Sequence, residues 1–232
     1  VPTLYILGGA NGVGKTTSYS YLIQQGKIDS SLPFVNSDVI QKELGAFSAQ
    51  NSIIAEEIVR NRMKELISEK RDFMIESNLA KASDYDWINL MRNEGYKTVL
   101  HFLGTKDVDI NKRRVAQRVM EGGHGVSEPI IEQRYRMGLS YLKREILSFD
   151  EAYLVDADRY PHKGMATLQN GKVMFKEQNA PKWVSEVLFL AERLQEKLQQ
   201  SSSEQRQDQF PSPNHDLAQR RSDQDRDQGF SL

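Results

Sequence analysis

A short glycine-rich stretch near the N-terminal end, Gly9-Ala10-Asn11-Gly12-Val13-Gly14-Lys15-Thr16, fits the pattern G-x-x-x-x-G-K-[ST]. Each position has a physical reason. Glycines let the backbone adopt positive φ and turn successive N–H groups toward one anion. A helix starting at the end of the loop adds its partial positive N-terminus. Lys15 supplies a point charge to the β- and γ-phosphates of a nucleoside triphosphate, and the Thr16 hydroxyl is a ligand for Mg²⁺. Gly9, Ala10, Asn11, Gly12, Val13, Gly14, Lys15, Thr16 and Thr17 are therefore the candidate nucleotide-binding residues, with Thr16 the metal ligand. A pattern this short also arises by accident; a preceding buried strand and a following helix separate the two cases.

Two carboxylates stand where strand ends are expected. Asp38 follows Phe34-Val35-Asn36, and Glu76 follows Phe73-Met74-Ile75. In parallel sheets ligands gather at the carboxyl ends of the strands. Asp38 could act as a general base on an attacking hydroxyl, or simply cap a helix beginning at Val39. Glu76 could place Mg²⁺ through water, hydrogen-bond an acceptor's hydroxyls, or be a solvated loop charge. Arg114 and Arg118 share a helix face, and Arg134 and Arg136 lie on the next helix. Between them Gly122-Gly123-His124-Gly125 reads as a hinged flap. Arginines brought in by a closing lid would stabilise charge on a transferring phosphoryl group, although charge-rich helices are usually solvated faces.

The elements that must hold these residues alternate between strand and helix. Leu4–Leu7, Phe34–Asn36, Phe73–Ile75, Lys97–Leu103 and Ala152–Val155 read as five short buried strands. Helical spacing separates them: from Lys15 to a stop at Gly26, over Ala49–Lys70, Ser83–Asn93 and Thr105–Glu121, and from Ser127 to about Ser148. Asn170-Gly171 joins Met165–Gln169 to Lys172–Lys176 as a hairpin, and a last helix starts near Pro181. The expected fold is an α/β P-loop NTPase fold: a five-stranded parallel sheet with helices on both faces, a helical lid and a C-terminal hairpin.

Composition bounds the rest. The chain has 232 residues, 38% hydrophobic and 27% charged, which suits one domain, expected over residues 1–198. From Gln199 the chain turns to Ser, Gln, Asp and Arg with few aliphatics, which predicts a disordered polar tail over 199–232. A net charge of −1 argues against a nucleic-acid partner. With no cysteine, disulfides and thiolate chemistry are excluded. The N-terminal residues do not read as a signal peptide, and no apolar run approaches the roughly 20 residues of a membrane helix, so no membrane association and a cytoplasmic location are expected.

Several stretches together carry a resemblance: the phosphate loop; Phe34-Val35-Asn36-Ser37-Asp38 with Glu43-Leu44; Ile75-Glu76-Ser77-Asn78-Leu79; Arg114-Val115-Ala116 through Arg118-Val119 to Gly122-Gly123-His124-Gly125-Val126; and Arg134-Tyr135. In this order, over roughly residues 3–160, they resemble the zeta-toxin family of P-loop kinases, and most closely its shorter bacterial branch of predicted ATPases. The resemblance implies an ATP- and Mg²⁺-dependent phosphotransferase. Family members phosphorylate a sugar hydroxyl of UDP-N-acetylglucosamine and are restrained by an antitoxin. The expected substrate is thus a small molecule of the nucleotide-sugar kind, and an antitoxin is an expected partner. It also implies that Lys15, Asp38, Arg118 and Arg134 are catalytic, and that Glu76, Ser77, Asn78 and His124 bind the acceptor. Two other readings remain open. One is a kinase of a nucleoside or polynucleotide hydroxyl. The other is an ATP-switched binding protein that docks through its tail.

Overall fold

The fold was obtained as a computed structural model, which describes residues 1–45 and 48–209. Strand β1 (Thr3–Gly8) is apolar on both faces, because Leu4, Ile6 and Leu7 are all fully buried. It lies between β3 (Phe73–Ser77) and β4 (Lys97–Gly104), parallel to both. The short β2 (Phe34–Val35) flanks β3, and β5 (Glu151–Asp156) flanks β4, again in parallel. The expected hairpin forms from β6 (Lys163–Gln169) and β7 (Lys172–Lys176). Its turn residues Asn170 and Gly171 both have positive φ, as a tight two-residue hairpin requires. The hairpin is not an appendage. β6 pairs antiparallel with β5, so the five parallel strands extend into one seven-stranded mixed sheet, ordered β2-β3-β1-β4-β5-β6-β7.

Helices cover both faces. Helix α1 (Lys15–Gln24) packs Leu22 against Leu7, Leu103 and Met74 on one side. On the other, α3 (Ala49–Ser68), α4 (Ala82–Asn93) and α6 (Glu128–Glu145) bury Leu66, Ile88 and Leu142 with Leu4, Ile6, Leu100 and Phe102. Two further helices, α2 (Ser37–Glu43) and α5 (Val108–Met120), follow β2 and β4. Helix α7 begins at Lys182 and buries Trp183, Val184, Val187 and Leu188 in the same core.

Three helix boundaries that differ from expectation have a local cause. Helix α5 starts at Val108 because Asp107 caps it, accepting from the Asp109 amide. Helix α2 starts at Ser37, and its cap is Asn36, not Asp38: the Asn36 backbone is extended and its side chain accepts from the Asp38 and Val39 amides. Helix α7 continues past Gln199 to Gln209, since adding residues to an existing helix costs little and Gln, Ser and Glu tolerate it. Of the tail expected from Gln199, residues 210–232 lie outside the described residues. The first of two compact units spans Val1–Ala191, and the second begins at Glu192. Among the described residues no helix is long and apolar enough to cross a membrane.

Candidate active site

The phosphate loop forms between β1 and α1 as its sequence requires. Gly9, Gly12 and Gly14 all have positive φ. A Cβ on Gly12 would lie 2.4 Å from the Asn111 carbonyl oxygen, so only glycine lets α5 approach the loop this closely. Gly14 sits at the N-cap of α1 in a left-handed conformation and offers no side chain to the helix. Ala10 and Val13 anchor the underside of the loop in the core.

Lys15 is buried, and its ammonium donates to the carbonyls of Gly9 at 2.6 Å and Ala10 at 3.3 Å. It also lies 3.5 Å from Glu76 Oε1 and 3.5 Å from Asn78 Oδ1. Burial pushes this ammonium below its usual range, and the charges of Glu76 and Asp38 oppose that shift. Lys15, Thr16 and Thr17 line a cleft of about 300 Å³ together with Asp38, Glu76 and Arg118. The exposed Asp38 enters it from the first turn of α2, and Glu76 from the end of β3. A hydroxyl and two carboxylates on one cleft are a fitting donor set for Mg²⁺, a hard cation that prefers oxygen and keeps several waters.

The arginines divide. Arg114 and Arg118, on α5, both line the cleft, so their shared face borders it. Arg114 is braced by the Val13 carbonyl at 3.3 Å and the Asp158 carbonyl at 3.0 Å. Arg118 Nε is buried and has no hydrogen-bond partner among the described residues. Its aliphatic stem rests on the turn after α5. A Cβ on Gly123 would meet Arg118 Cγ at 2.7 Å, so the glycine turn is what lets the chain fold back on this side chain. Arg134, on α6, lies outside the cleft lining and donates instead to Asn11 Oδ1 at 2.8 Å. Arg136 is exposed.

The family model of the zeta toxin matches residues 1–168. This chain belongs to the zeta toxin family. This zeta toxin family member is also 28% identical over 131 residues to an uncharacterized protein of Haemophilus influenzae, a match covering 55% of the chain and 88% of that protein. Among solved structures, AvrRxo1-ORF1 in complex with AvrRxo1-ORF2 and sulphate aligns with a TM-score of 0.59 at 19% identity, over 81% of this chain and 63% of that one. The same complex with ATP gives a TM-score of 0.58 at 18% identity. The PezAT toxin–antitoxin system of Streptococcus pneumoniae gives 0.52 at 16% identity, over 85% of this chain and 87% of that one. These likenesses are in fold alone. The chain spans less than two thirds of the AvrRxo1-ORF1 chain.

Within the zeta toxin fold, the other candidates fall in two groups. Asn78 reaches Lys15, whereas Ser77 shapes its own turn: its hydroxyl accepts from the Leu79 amide at 3.0 Å and its carbonyl from the Gly9 amide at 3.2 Å. His124 is exposed on the α5–α6 turn and does not line the cleft. Two residues given no role from the sequence matter here. Asn111, fully buried, donates to the Asn11 carbonyl at 2.8 Å and accepts from the Thr105 hydroxyl at 2.6 Å, holding the crest of the loop from below. Asn36 joins the two carboxylate-bearing segments. Its position beside a strand end and before an acidic residue was the only signal available.

Proposed function

We propose that the protein is an ATP-dependent phosphotransferase acting on a hydroxyl of a small molecule. The observation that carries this reading is the convergence of Lys15, Asp38, Glu76 and Arg118 on one cleft with the phosphate loop. The loop amides and Lys15 would hold the β- and γ-phosphates of ATP. ATP is also the ligand of the similar AvrRxo1-ORF1:-ORF2 complex. Mg²⁺, held by Thr16 and through water by the nearby carboxylates, would neutralise charge on the phosphate oxygens. Asp38 removes the proton from the acceptor hydroxyl, and the oxygen attacks the γ-phosphorus. The bond to the β–γ bridging oxygen breaks, and ADP leaves. Arg118, with Arg134 moving in from Asn11, stabilises charge on the transferring group.

Family membership supports UDP-N-acetylglucosamine as the acceptor, with Glu76 accepting from its hydroxyls. It also supports an antitoxin partner, and the similar AvrRxo1 and PezAT structures are of paired proteins or a toxin–antitoxin system. The test is incubation of the purified protein with ATP, Mg²⁺ and UDP-N-acetylglucosamine, followed by mass spectrometry of the sugar nucleotide. A mass gain of one phosphoryl group is expected, and Asp38→Asn should abolish it. Asp38→Asn making the product at the wild-type rate would show that the base is misassigned.

A further inference from the structure

Asn36 is buried, with 6% of its surface exposed, and it stands between the two carboxylates of the cleft. The parallel register of β2 and β3 pairs Val35 with Ile75, so the next residues along stand side by side, Asn36 just past the end of β2 and Glu76 still within β3. Both ends of the Asn36 amide are used. Its oxygen accepts from the backbone amides of Asp38 at 2.8 Å and Val39 at 3.4 Å, closing the first turn of α2. Its nitrogen donates to Glu76 Oε2 at 2.7 Å, while the other carboxylate oxygen, Oε1, lies 3.5 Å from the Lys15 ammonium. The partners fix the orientation of the amide: backbone donors on one side demand the oxygen, and a carboxylate on the other demands the NH₂.

A helix cap alone does not need asparagine, because Ser, Thr and Asp cap as well. Asp has no proton to donate, and a Ser or Thr hydroxyl must accept and donate through one oxygen, whereas the Asn36 amide places its acceptor and its donor on separate atoms. The side chain therefore does more than start a helix. It ties the backbone of the Asp38 residue to the carboxylate of Glu76, and through Glu76 to Lys15.

We propose that Asn36 is a positioning residue for phosphoryl transfer, holding the base-bearing turn of α2 and the acceptor carboxylate Glu76 in one fixed relation. This rests on the roles given to Asp38 and Glu76 above. Asn36 does not line the cleft; it acts by setting where the two carboxylates stand. Small displacements of such groups lower the rate steeply, because transfer needs near-attack geometry.

The experiment compares Asn36→Ser and Asn36→Asp with wild type, using the full chain, ATP, Mg²⁺ and UDP-N-acetylglucosamine as the probe acceptor. Turnover is read as ADP release, so transfer to the sugar and to water both register. Thermal midpoint and the affinity for a fluorescent ATP analogue are measured alongside. Asn36→Ser keeps a capping oxygen, so midpoint and ATP affinity should stay near wild type, while kcat falls by about 10- to 100-fold, as for other supporting partners of a reacting group. Asn36→Asp also caps the helix but sets a carboxylate against Glu76. Its deficit relative to wild type should shrink as pH falls, once the paired carboxyls share a proton and the hydrogen bond returns. A cap with no further role would not produce that pH signature.

Asn36→Ser with wild-type kcat and KM overturns the proposal. So does a pH-independent loss in Asn36→Asp that tracks a lowered thermal midpoint. Failure of the underlying reading looks different: Asp38→Asn and Glu76→Gln would then turn over like wild type, whatever Asn36 does.

Discussion

Arg134 Nη1 donates to Asn11 Oδ1 at 2.8 Å, so the second helix of the lid is tied to the crest of the phosphate loop. The guanidinium also bears on the site electrostatically, as one of the charges that lower the Lys15 ammonium. It is thus close to the phosphates' position yet held by a neutral side chain that a charged oxygen would outcompete. Arg134→Ala should lower turnover by about 10³-fold, the lower end of the range for an arginine that stabilises transferring phosphate. ATP affinity should change much less. Arg134→Lys should not restore the rate, because a point charge cannot reproduce the planar fork. Steady-state kinetics beside equilibrium binding of an ATP analogue separate the two quantities.

Asn111 tests how the loop is held. Its side chain is fully buried and bridges the Asn11 carbonyl and the Thr105 hydroxyl. Asn111→Ala would take the donor from the Asn11 carbonyl, while the Thr105 hydroxyl keeps the Asp107 carbonyl at 3.1 Å as an acceptor, at a cost of about 1–3 kcal/mol in unfolding free energy. The loop would also lose its support from α5, so ATP should bind more weakly than the stability loss alone explains. Chemical denaturation and calorimetric titration with ATP check the pair of outcomes. Unchanged affinity in a destabilised variant would mean the loop is rigid without this bridge.

How far these features could be read from the sequence follows from the range of each interaction. Leu4–Leu7 and Phe73–Ile75 announced buried parallel strands because a strand covered on both faces is apolar throughout. The phosphate loop was equally legible, since its glycines, lysine and threonine act within one turn of chain. The partners that finish the site are remote. Arg134 and Asn11 are 123 residues apart, and Asn36 and Glu76 are 40 apart. Their pairing depends on strand register and on where α5 and α6 cross the loop, which no local pattern encodes. Asn36 read as the end of a strand, and Asn111 as one more polar position on a charged helix. Asp38 was open between base and cap until the geometry gave the cap to Asn36.

Gly123 tests the turn between the lid helices. Its amide donates to the Arg118 carbonyl at 2.8 Å, and a Cβ there would lie 2.9 Å from that oxygen and 2.7 Å from Arg118 Cγ. Gly123→Ala should therefore displace the Arg118 side chain from the cleft wall. Because the turn is at the surface, the thermal midpoint should move little. Turnover should fall by about tenfold, a loss worth about 1.4 kcal/mol of transition-state stabilisation. Wild-type kcat in Gly123→Ala would show that Arg118 does not depend on the glycine turn for its position.

His101 gives the fold a built-in sensitivity to acid that has nothing to do with the cleft. It lies on β4 with its ring stacked on Tyr153, centroids 4.7 Å apart and planes 11° from parallel. Burial, reinforced by the Lys27 charge and opposed by Glu151, pushes its imidazole down from 6.5 to about 4. In the unfolded chain the same imidazole takes up its proton near its ordinary value. Between the two values the unfolded state therefore binds more protons, and acid favours unfolding. The stabilisation is fully present above about pH 6.5 and disappears progressively as pH falls toward about 4, for a total of about 3 kcal/mol. His101→Phe keeps a flat ring against Tyr153 but has nothing to titrate. The unfolding free energy of wild type minus that of the variant, measured across that interval, should fall by about 3 kcal/mol as pH drops, because carboxylates common to both cancel in the difference. A difference that stays constant with pH would show that the imidazole titrates in the folded protein as it does in water.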